Sequence, residues 1–291
     1  MINKAFTVLF ATDSNYVSHL ATAIYSLLKN NKELRFRIVV LTGGISDIDQ
    51  NKLRDVALKF SVPLEFIFLD SSNFDGLVIN HHFQKSNYYR LFAADFIDDK
   101  ICLYLDADVI VNGSIGEMVN VELGNYFLGA VENPGINRNI ELCMHPNSKY
   151  FNSGVMLLNL EKWRQVGVKD AVISFVKKNP DAIYWVDQCG LNSIVDGNWL
   201  ELNSKFNVQS SMLANTLCRG SCSNFEAVIV HFTGSEKPWK MNMKHPYKKH
   251  YWSYRNKTAY RSYLSDDFSL NTVLLFITPS FLKNFLKVFL W

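Results

Sequence analysis

Cysteine, glycine and proline are scarce in this sequence, and long hydrophobic runs are missing. The five cysteines include no Cys-x-x-Cys pair, and an odd number is untypical of a disulfide framework or a zinc knuckle. Only 7 prolines and 14 glycines, with 14% aromatic residues, exclude a disordered chain of 291 residues. No stretch approaches the roughly 18 apolar residues of a membrane span. Although Cys218 and Cys222 could form a bridge, these features predict a globular protein with free thiols in a reducing cytosol.

Motifs for secretion and for two common kinds of nucleotide binding are also missing. The apolar run at residues 5–11 is short, is followed closely by Asp13 and has no small-residue cleavage site. We therefore expect a buried strand and not a signal peptide. Neither the Gly-x-Gly-x-x-Gly motif nor the Gly-x-x-x-x-Gly-Lys motif follows this strand. These absences argue against a dinucleotide-binding motif and against a P-loop.

The first hundred residues alternate apolar runs with helical patterns. Apolar residues recur at helical spacing between residues 17 and 28 and again after Ser46, which we predict to be a helix N-cap. A further helix is expected at 86–97. Strands are expected at 5–11, 36–41, 64–69 and 101–105, the first and the last of them buried. This order predicts an α/β fold with a mostly parallel central sheet, covered by helices on both faces. Ligands of such sheets bind beyond the carboxyl ends of the strands, so the polar residues that follow each strand are candidate site residues.

Two aspartate pairs of the form Asp-x-Asp occur, and their contexts differ. Asp47 and Asp49 lie in the first turn of a predicted helix, where carboxylates favour the positive end of the helix dipole. Asp106 and Asp108 instead follow a buried strand, where two neighbouring carboxylates are costly unless a cation neutralises them. Hard oxygen ligands suit Mg²⁺ or Mn²⁺, and both ions keep coordination positions for phosphate oxygens. Asp106 and Asp108 therefore predict a divalent metal site.

Polar residues also flank other apolar runs. Asp13 and Asn15 could accept hydrogen bonds from a base or ribose, or they could simply belong to a helix cap. His231 ends a later strand-like run, and an imidazole beside carboxylates favours Mn²⁺ over Mg²⁺. Gly234 permits close backbone approach, and Lys237 supplies a positive charge for phosphate. Hydrogen-bonding side chains suited to sugar hydroxyls, which could equally be turn and cap residues, occur at Asn152, Ser153, Asp187 and Gln188.

Taken together, these segments resemble retaining glycosyltransferases of family 8, which include bacterial lipopolysaccharide α-galactosyl- and α-glucosyltransferases and glycogenin. The resemblance extends from residue 5 to about residue 239. The matching segments, in chain order, are residues 11–16, 89–91, 104–108, 151–155, 187–188 and 231–239. This resemblance implies a GT-A-type, Rossmann-like nucleotide-sugar fold, to which we assign residues 1–240.

The resemblance also implies a role for each matching residue. Asp106, Asp108 and His231 would hold Mn²⁺, with Mg²⁺ as the alternative, on the diphosphate of UDP-galactose or UDP-glucose. Phosphate contacts would come from Gly234 and Lys237. Nucleotide contacts would come from Ala11, Thr12, Asp13, Asn15, Tyr16 and Ala107, and donor-sugar contacts from Arg90, Asn152, Ser153, Asp187 and Gln188.

Retention of configuration requires either a carboxylate nucleophile or attack by the acceptor on the face that the leaving group occupies. The family position beneath the anomeric carbon matches Gln188, whose amide is a poor nucleophile. We therefore hypothesise front-face transfer, in which Gln188 stabilises the cationic sugar and the leaving phosphate takes the acceptor proton. Asp187 is the competing candidate nucleophile.

Acidic residues are rare in the C-terminal part of the chain. Residues 237–291 contain 10 Lys and Arg but only 2 Asp and Glu, whereas the whole chain carries +3. Basic and aromatic residues alternate up to residue 261, a composition typical of nucleic-acid or membrane contact. Residues 279–291 place Phe and Leu on one helical face and lysines on the other, which favours a membrane surface over nucleic acid. Docking of this helix on the protein's own core is the alternative.

We therefore predict that residues 241–291 form a basic, amphipathic helical appendage. It would hold a cytoplasmic enzyme on the anionic inner face of the cell membrane. The predicted function is metal-dependent, retaining transfer of galactose or glucose to a saccharide acceptor, lipid-linked in lipopolysaccharide or another cell-surface glycan. Two alternatives remain open: a sugar-nucleotide-binding protein without turnover, and a glycogenin-like self-glucosylating primer.

Overall fold

A seven-stranded sheet forms the centre of the protein in a computed structural model, which describes residues 5–79, 84–213, 226–235, 237–261, 264–269 and 271–273. In spatial order its strands are β3 (Leu64–Phe68), β2 (Phe36–Thr42), β1 (Phe6–Thr12), β4 (Ile101–Leu105), β7 (Phe151–Asn159), β6 (Leu128–Glu132) and β8 (Leu200–Glu201). The four neighbouring strands β3, β2, β1 and β4 run parallel to one another. Strand β7 is antiparallel to both β4 and β6, and β8 is parallel to β6. This topology confirms the predicted α/β fold with a mostly parallel central sheet.

Helices cover both faces of this sheet, as expected for parallel strands. The α-helices whose two ends lie within the described residues are α1 (Val17–Asn30), α2 (Asp47–Leu58), α3 (Ala93–Phe96), α4 (Gly116–Val119), α5 (Leu160–Val166), α6 (Val168–Lys178), α7 (Val186–Val195) and α8 (Lys248–Arg255). Alternate residues of β1 enter opposite cores: Val8 and Phe10 pack in the cluster that includes α1, and Leu9 packs in the cluster that includes α6 and α7. Short 3₁₀ segments lie at Ser71–Phe74, Lys85–Phe92, Pro180–Ala182 and Ser204–Phe206.

The segment predicted to be helical at 86–97 is mostly a 3₁₀-helix in the structure. Lys85–Phe92 is a 3₁₀-helix, and only Ala93–Phe96 is α-helical. The 3₁₀ winding puts residues three apart on one face, and the fully buried Tyr88 and Leu91 are spaced in this way. The expected helical segment is therefore present, and the sequence pattern left its winding open because periods of 3.0 and 3.6 residues are nearly indistinguishable over so few turns.

A second, three-stranded sheet lies beside the first one. It consists of β5 (Val109–Val111), β10 (Ile229–His231) and β9 (Val208–Gln209), in that order. Strand β10 is antiparallel to β5 and parallel to β9. The chain therefore leaves the large sheet after Leu105 and enters the small one at Val109, so the intervening Asp-Ala-Asp segment lies between the two sheets.

The first part of the basic C-terminal region packs against α1. The Tyr251 hydroxyl lies 2.6 Å from His19 Nδ1, and the His19 ring stacks on Trp239 with centroids 3.5 Å apart. The aromatic side chains interleaved with basic residues between 237 and 261 are all buried or half-buried, so they pack against the protein. The amphipathic helix predicted for 279–291 lies outside the described residues. Within the described ranges, no helix is long and apolar enough to cross a membrane.

The cysteines that the structure describes are unpaired. Cys102 and Cys189 are buried and Cys143 is exposed, all three as free thiols. Cys218 and Cys222 lie outside the described residues. The prediction of free thiols is therefore confirmed for the three described positions.

Candidate active site

A cavity of about 340 Å³, lined mainly by polar residues, opens at the carboxyl ends of β1 and β4. Strand order reverses between these two neighbours, because β1 lies between β2 and β4, and such a switch point is where open α/β sheets bind ligands. The cavity is lined by every predicted site residue except Asn15, namely Ala11, Thr12, Asp13, Tyr16, Arg90, Asp106, Ala107, Asp108, Asn152, Ser153, Asp187, Gln188, His231, Gly234 and Lys237. Asn15 is exposed, and its backbone N–H donates to Asp13 Oδ1 at 2.9 Å.

Strand pairing brings His231 to the two aspartates. In the antiparallel β5–β10 pair, His231 lies opposite Val109, the residue after Asp108. The Phe232 N–H donates to the Asp108 carbonyl at 3.0 Å, and the Asp106 N–H donates to the Gly154 carbonyl at 2.8 Å. Backbone hydrogen bonds from both sheets therefore fix the metal-site residues, although they come from distant parts of the chain.

One ligand atom from each of Asp106, Asp108 and His231 points to a common centre. His231 Nε2 lies 3.6 Å from Asp106 Oδ2 and 3.3 Å from Asp108 Oδ1. Ligand atoms of the three residues all lie within 4.8 Å of one another. Two carboxylate oxygens and one imidazole nitrogen fit a divalent cation such as Mn²⁺. The geometry therefore agrees with the predicted ligand set.

The opposite atoms of the two carboxylates are held by the protein. Asp106 Oδ1 accepts a hydrogen bond from the Tyr104 hydroxyl at 2.6 Å and lies 3.0 Å from Arg90 Nη2. Asp108 Oδ2 accepts from Lys237 Nζ at 2.5 Å. Burial alone would raise the pKa of Asp108, but the adjacent positive charge of Lys237 and the contact with His231 hold that pKa well below its usual value. Asp108 is therefore ionised, as a metal ligand must be.

Arg90 joins the metal site to the predicted sugar site. Its buried guanidinium donates to the Ser153 carbonyl at 2.7 Å and packs over the Tyr104 ring at 4.5 Å. Arg90 Nε lies 3.1 Å from Asp187 Oδ2, but this N–H donates to the Asn87 carbonyl instead. Asp187 Oδ2 consequently accepts no hydrogen bond from the described residues. Burial raises the pKa of Asp187 to about 7, although the charge of Arg90 opposes the rise.

Gln188 is better placed than Asp187 to face a ligand. Gln188 is 7% exposed and Asp187 only 1%, although both line the cavity. Gln188 Oε1 accepts from the Ser153 N–H at 3.0 Å, and its Nε2 donates to the Tyr150 hydroxyl at 3.4 Å. These contacts hold the Gln188 amide in one orientation.

At the other end of the cavity, Asp13 is held by two hydrogen bonds. Besides the bond from the Asn15 N–H, Asp13 Oδ2 accepts from the Ser86 hydroxyl at 2.8 Å. The Tyr16 ring meets the Trp239 ring edge to face, with centroids 5.9 Å apart. Glu236, an acidic residue between the predicted phosphate contacts Gly234 and Lys237, lies outside the described residues.

Sequence reasoning assigned no site role to several residues that line the cavity, among them Gln84, Ser86, Asn87, Tyr104, Ile136, Trp185, Gln209 and Thr233. It also gave no role to Gly154, although a glycine within an otherwise buried strand often marks a close approach. A Cβ at this position would lie 2.1 Å from His231 Cε1. Gly154 is therefore the residue that lets β7 pass beside the metal site.

The open sheet, the cavity at its switch point and the Asp-Asp-His cluster are the features of a GT-A-type, metal-dependent glycosyltransferase. The chain belongs to glycosyl transferase family 8, whose model matches residues 7–243. Its fold resembles that of the galactosyltransferase LgtC, solved with donor and acceptor sugar analogs, with a TM-score of 0.80 and 25% identity over 87% of this chain and 96% of that one. The predicted family and fold are therefore confirmed.

Curated relatives extend this similarity. General stress protein A of Bacillus subtilis is 33% identical over 272 residues, which are 88% of this chain and 94% of that protein. A lipopolysaccharide 1,3-galactosyltransferase of Salmonella typhimurium is 27% identical over 80% of this chain and 73% of its own length. A lipopolysaccharide 1,2-glucosyltransferase of Escherichia coli is also 27% identical, over 81% and 74% respectively. The relatives therefore include transferases named for galactose and for glucose.

Proposed function

We propose that this protein transfers galactose or glucose, with retention, from a UDP-sugar to a saccharide acceptor of a cell-surface glycan such as lipopolysaccharide. The observation that carries the proposal is the convergence of Asp106 Oδ2, Asp108 Oδ1 and His231 Nε2 in a cavity at the sheet's switch point. The galactosyl- and glucosyltransferase relatives support a hexose donor. A lipid-linked acceptor is proposed from the basic C-terminal region.

Asp106, Asp108 and His231 would hold Mn²⁺, with Mg²⁺ as the alternative. When bound, the cation supplies positive charge that stabilises the diphosphate leaving group. Lys237 is the residue of this chain that would share this task. It is buried, and it donates to both Asp108 and the Phe232 carbonyl, so its charge is held in the cavity that Gly234 also lines.

The sugar end of the cavity favours front-face transfer. The bond from the anomeric carbon to the diphosphate oxygen breaks, the acceptor hydroxyl oxygen bonds to the same carbon, and its proton passes to the leaving phosphate. The anomeric carbon is cationic in the transition state, so a nearby amide dipole from Gln188 would stabilise it. Asp187 is the less accessible side chain and has the raised pKa, which disfavours it as nucleophile.

UDP release tests the proposal. We expect UDP-galactose or UDP-glucose, with Mn²⁺ and a saccharide acceptor pool, to yield UDP, and excess EDTA to stop the reaction. Asp108→Asn should lower turnover at least 100-fold, because it removes a metal-ligand charge. Asp47→Asn is the matched control, because Asp47 belongs to the other Asp-x-Asp pair, in the first turn of α2, away from the cavity.

The outcomes separate this function from its alternatives. Turnover that persists in EDTA contradicts the metal-dependent reaction. UDP-sugar binding without UDP release in any acceptor pool favours a non-catalytic binding protein. Sugar attached to the protein itself, detected as a mass increase, favours the self-glucosylating primer. A glycosyl adduct trapped on Asp187 contradicts front-face transfer.

We also propose peripheral attachment to the cytoplasmic face of the cell membrane through residues 241–291, as a region distinct from the catalytic domain at 1–240. Lys244, Lys249, Lys257 and Arg261 are exposed, so they are available to anionic headgroups. The protein should float with vesicles that contain anionic phospholipid and not with neutral phosphatidylcholine vesicles. Lys283→Glu with Lys287→Glu should release it, and equal flotation of this variant contradicts a membrane role for the predicted terminal helix.

A further inference from the structure

A buried chain of three side chains leads from the backbone of β7 to the metal site. The Gly154 N–H donates to Asn152 Oδ1 at 3.0 Å, and Asn207 Nδ2 donates to the same oxygen at 2.9 Å. Asn207 Oδ1 then lies 3.2 Å from His231 Nδ1. Asn207 is fully buried, and Asn152 and His231 are 6% and 4% exposed.

The backbone sets the direction of every hydrogen bond in this chain. A backbone N–H can only donate, so the Asn152 atom that faces Gly154 must be the amide oxygen. Asn207 must then present its NH₂ group to Asn152, which leaves its oxygen facing His231. Because that oxygen can only accept, His231 Nδ1 must carry a proton.

A proton on Nδ1 determines the state of the other ring nitrogen of His231, Nε2. With Nδ1 protonated and hydrogen-bonded, Nε2 carries the lone pair of the neutral ring and faces Asp106 Oδ2 and Asp108 Oδ1. Metal-bound histidines generally donate their second N–H to an acceptor that fixes the tautomer and the ring orientation. Asn207 occupies this position here.

Backbone pairing places Asn207 for this contact. It follows the 3₁₀ turn Ser204–Phe206 and directly precedes β9, which pairs in parallel with β10. In that pair Gln209 lies opposite His231. The two segments therefore hold Asn207 beside the histidine ring, although neither residue is near the other in sequence.

We propose that Asn207 is a positioning residue that sets the tautomer of His231 for metal coordination. Asn207 is not among the residues that line the cavity, so it would act through the imidazole. This inference rests on the metal site of the proposed function. It adds a residue that no resemblance or cavity lining had indicated.

Two substitutions with different hydrogen-bonding capacity test the proposal. Asn207→Leu removes the acceptor, so Mn²⁺ affinity should fall 10- to 100-fold, the usual cost of losing such a partner. Asn207→Asp keeps an acceptor oxygen towards His231, but it replaces the donor to Asn152 Oδ1 with a second oxygen and adds a negative charge. Its Mn²⁺ affinity should therefore remain within a few-fold of the wild-type value, although burial of a carboxylate lowers the melting temperature.

The measurement is the free Mn²⁺ signal in electron paramagnetic resonance, during titration of the full-length protein with and without UDP. Asn139→Leu is the control for general destabilisation. Asn139 is also buried and donates to three carbonyls of the loop at residues 145–148, but it does not line the cavity. It should lower stability and leave Mn²⁺ affinity unchanged.

Each possible result either supports or overturns the positioning role of Asn207. The order wild type, Asn207→Asp, then a much weaker Asn207→Leu supports the positioning role. Equal affinity of wild type and Asn207→Leu, or equal weakening in both Asn207 variants, overturns it while leaving the metal site intact. Failure of the wild-type protein to bind Mn²⁺ in either condition overturns the metal site of the proposed function and this inference with it.

Discussion

Gly154→Ala should disable the metal site by adding one methyl group. The new Cβ would lie 2.1 Å from His231 Cε1, 2.6 Å from Asp106 Oδ2 and 2.8 Å from His231 Nδ1. The new methyl group would therefore overlap two of the three proposed metal ligands, His231 and Asp106. Asn207 also holds the His231 ring through Nδ1, so a shift of the ring would strain that hydrogen bond.

The size of the effect follows from the overlap. Carbon atoms make favourable contact at about 3.5 Å, so His231 Cε1 would have to move by roughly 1.4 Å. Displacement of a functional group by about 1 Å can cost roughly 100-fold in function. Overpacking of this kind typically destabilises a folded protein by about 1–3 kcal/mol. We therefore expect a protein that still folds, with Mn²⁺ affinity and turnover reduced about 100-fold.

Mn²⁺ titration and thermal unfolding, performed on the same preparations, measure the two effects. Gly190→Ala is the matched control, since its Cβ would lie 2.8 Å from Val172 Cγ1 and 3.0 Å from Val176 Cγ2, between α6 and α7. It should destabilise the protein to a similar degree and leave Mn²⁺ affinity unchanged. Wild-type Mn²⁺ affinity in Gly154→Ala would contradict the expected displacement of His231.

Three other substitutions have defined outcomes. Lys237→Gln should weaken UDP binding in calorimetry by 10- to 100-fold, the value of a charge-assisted hydrogen bond, whereas the more exposed Lys240→Gln should not. Tyr104→Phe should weaken Mn²⁺ binding about 10-fold, because Asp106 Oδ1 loses a 2.6 Å hydrogen bond; unchanged affinity would contradict this role. Asp187 has a folded-state pKa of about 7 against 3.8 for the free side chain, so the folded state binds more protons between these values and its stability falls as pH rises. In urea unfolding, the free energy of unfolding of the wild-type protein should fall from pH 4 to 8 by on the order of 4 kcal/mol more than that of Asp187→Asn. Parallel plots of unfolding free energy against pH for the two proteins would contradict the raised pKa.

The two Asp-x-Asp pairs show how far local sequence can identify a site. Ser46 caps α2 by accepting from the Asp49 N–H at 3.1 Å, and Asp47 and Asp49 lie in its first turn, as predicted. The other pair lines the cavity between the two sheets, also as predicted. Both distinctions depend on short-range patterns, a cap before a helix and a polar segment after an apolar run, which neighbouring residues encode.

The sequence alone determined the alternation of strands and helices, and with it the edge of the sheet where carboxylates, imidazole and lysine would meet. Tertiary contacts determine which oxygen and nitrogen atoms of those side chains face a common centre and which are hydrogen-bonded to the protein. The contacts of Asn207 with His231 and of Gly154 with Asp106 depend on pairing between segments far apart in the chain, and periodicity carries no information about such partners. The sequence therefore specified the chemistry of the site, and long-range strand pairing specified its geometry.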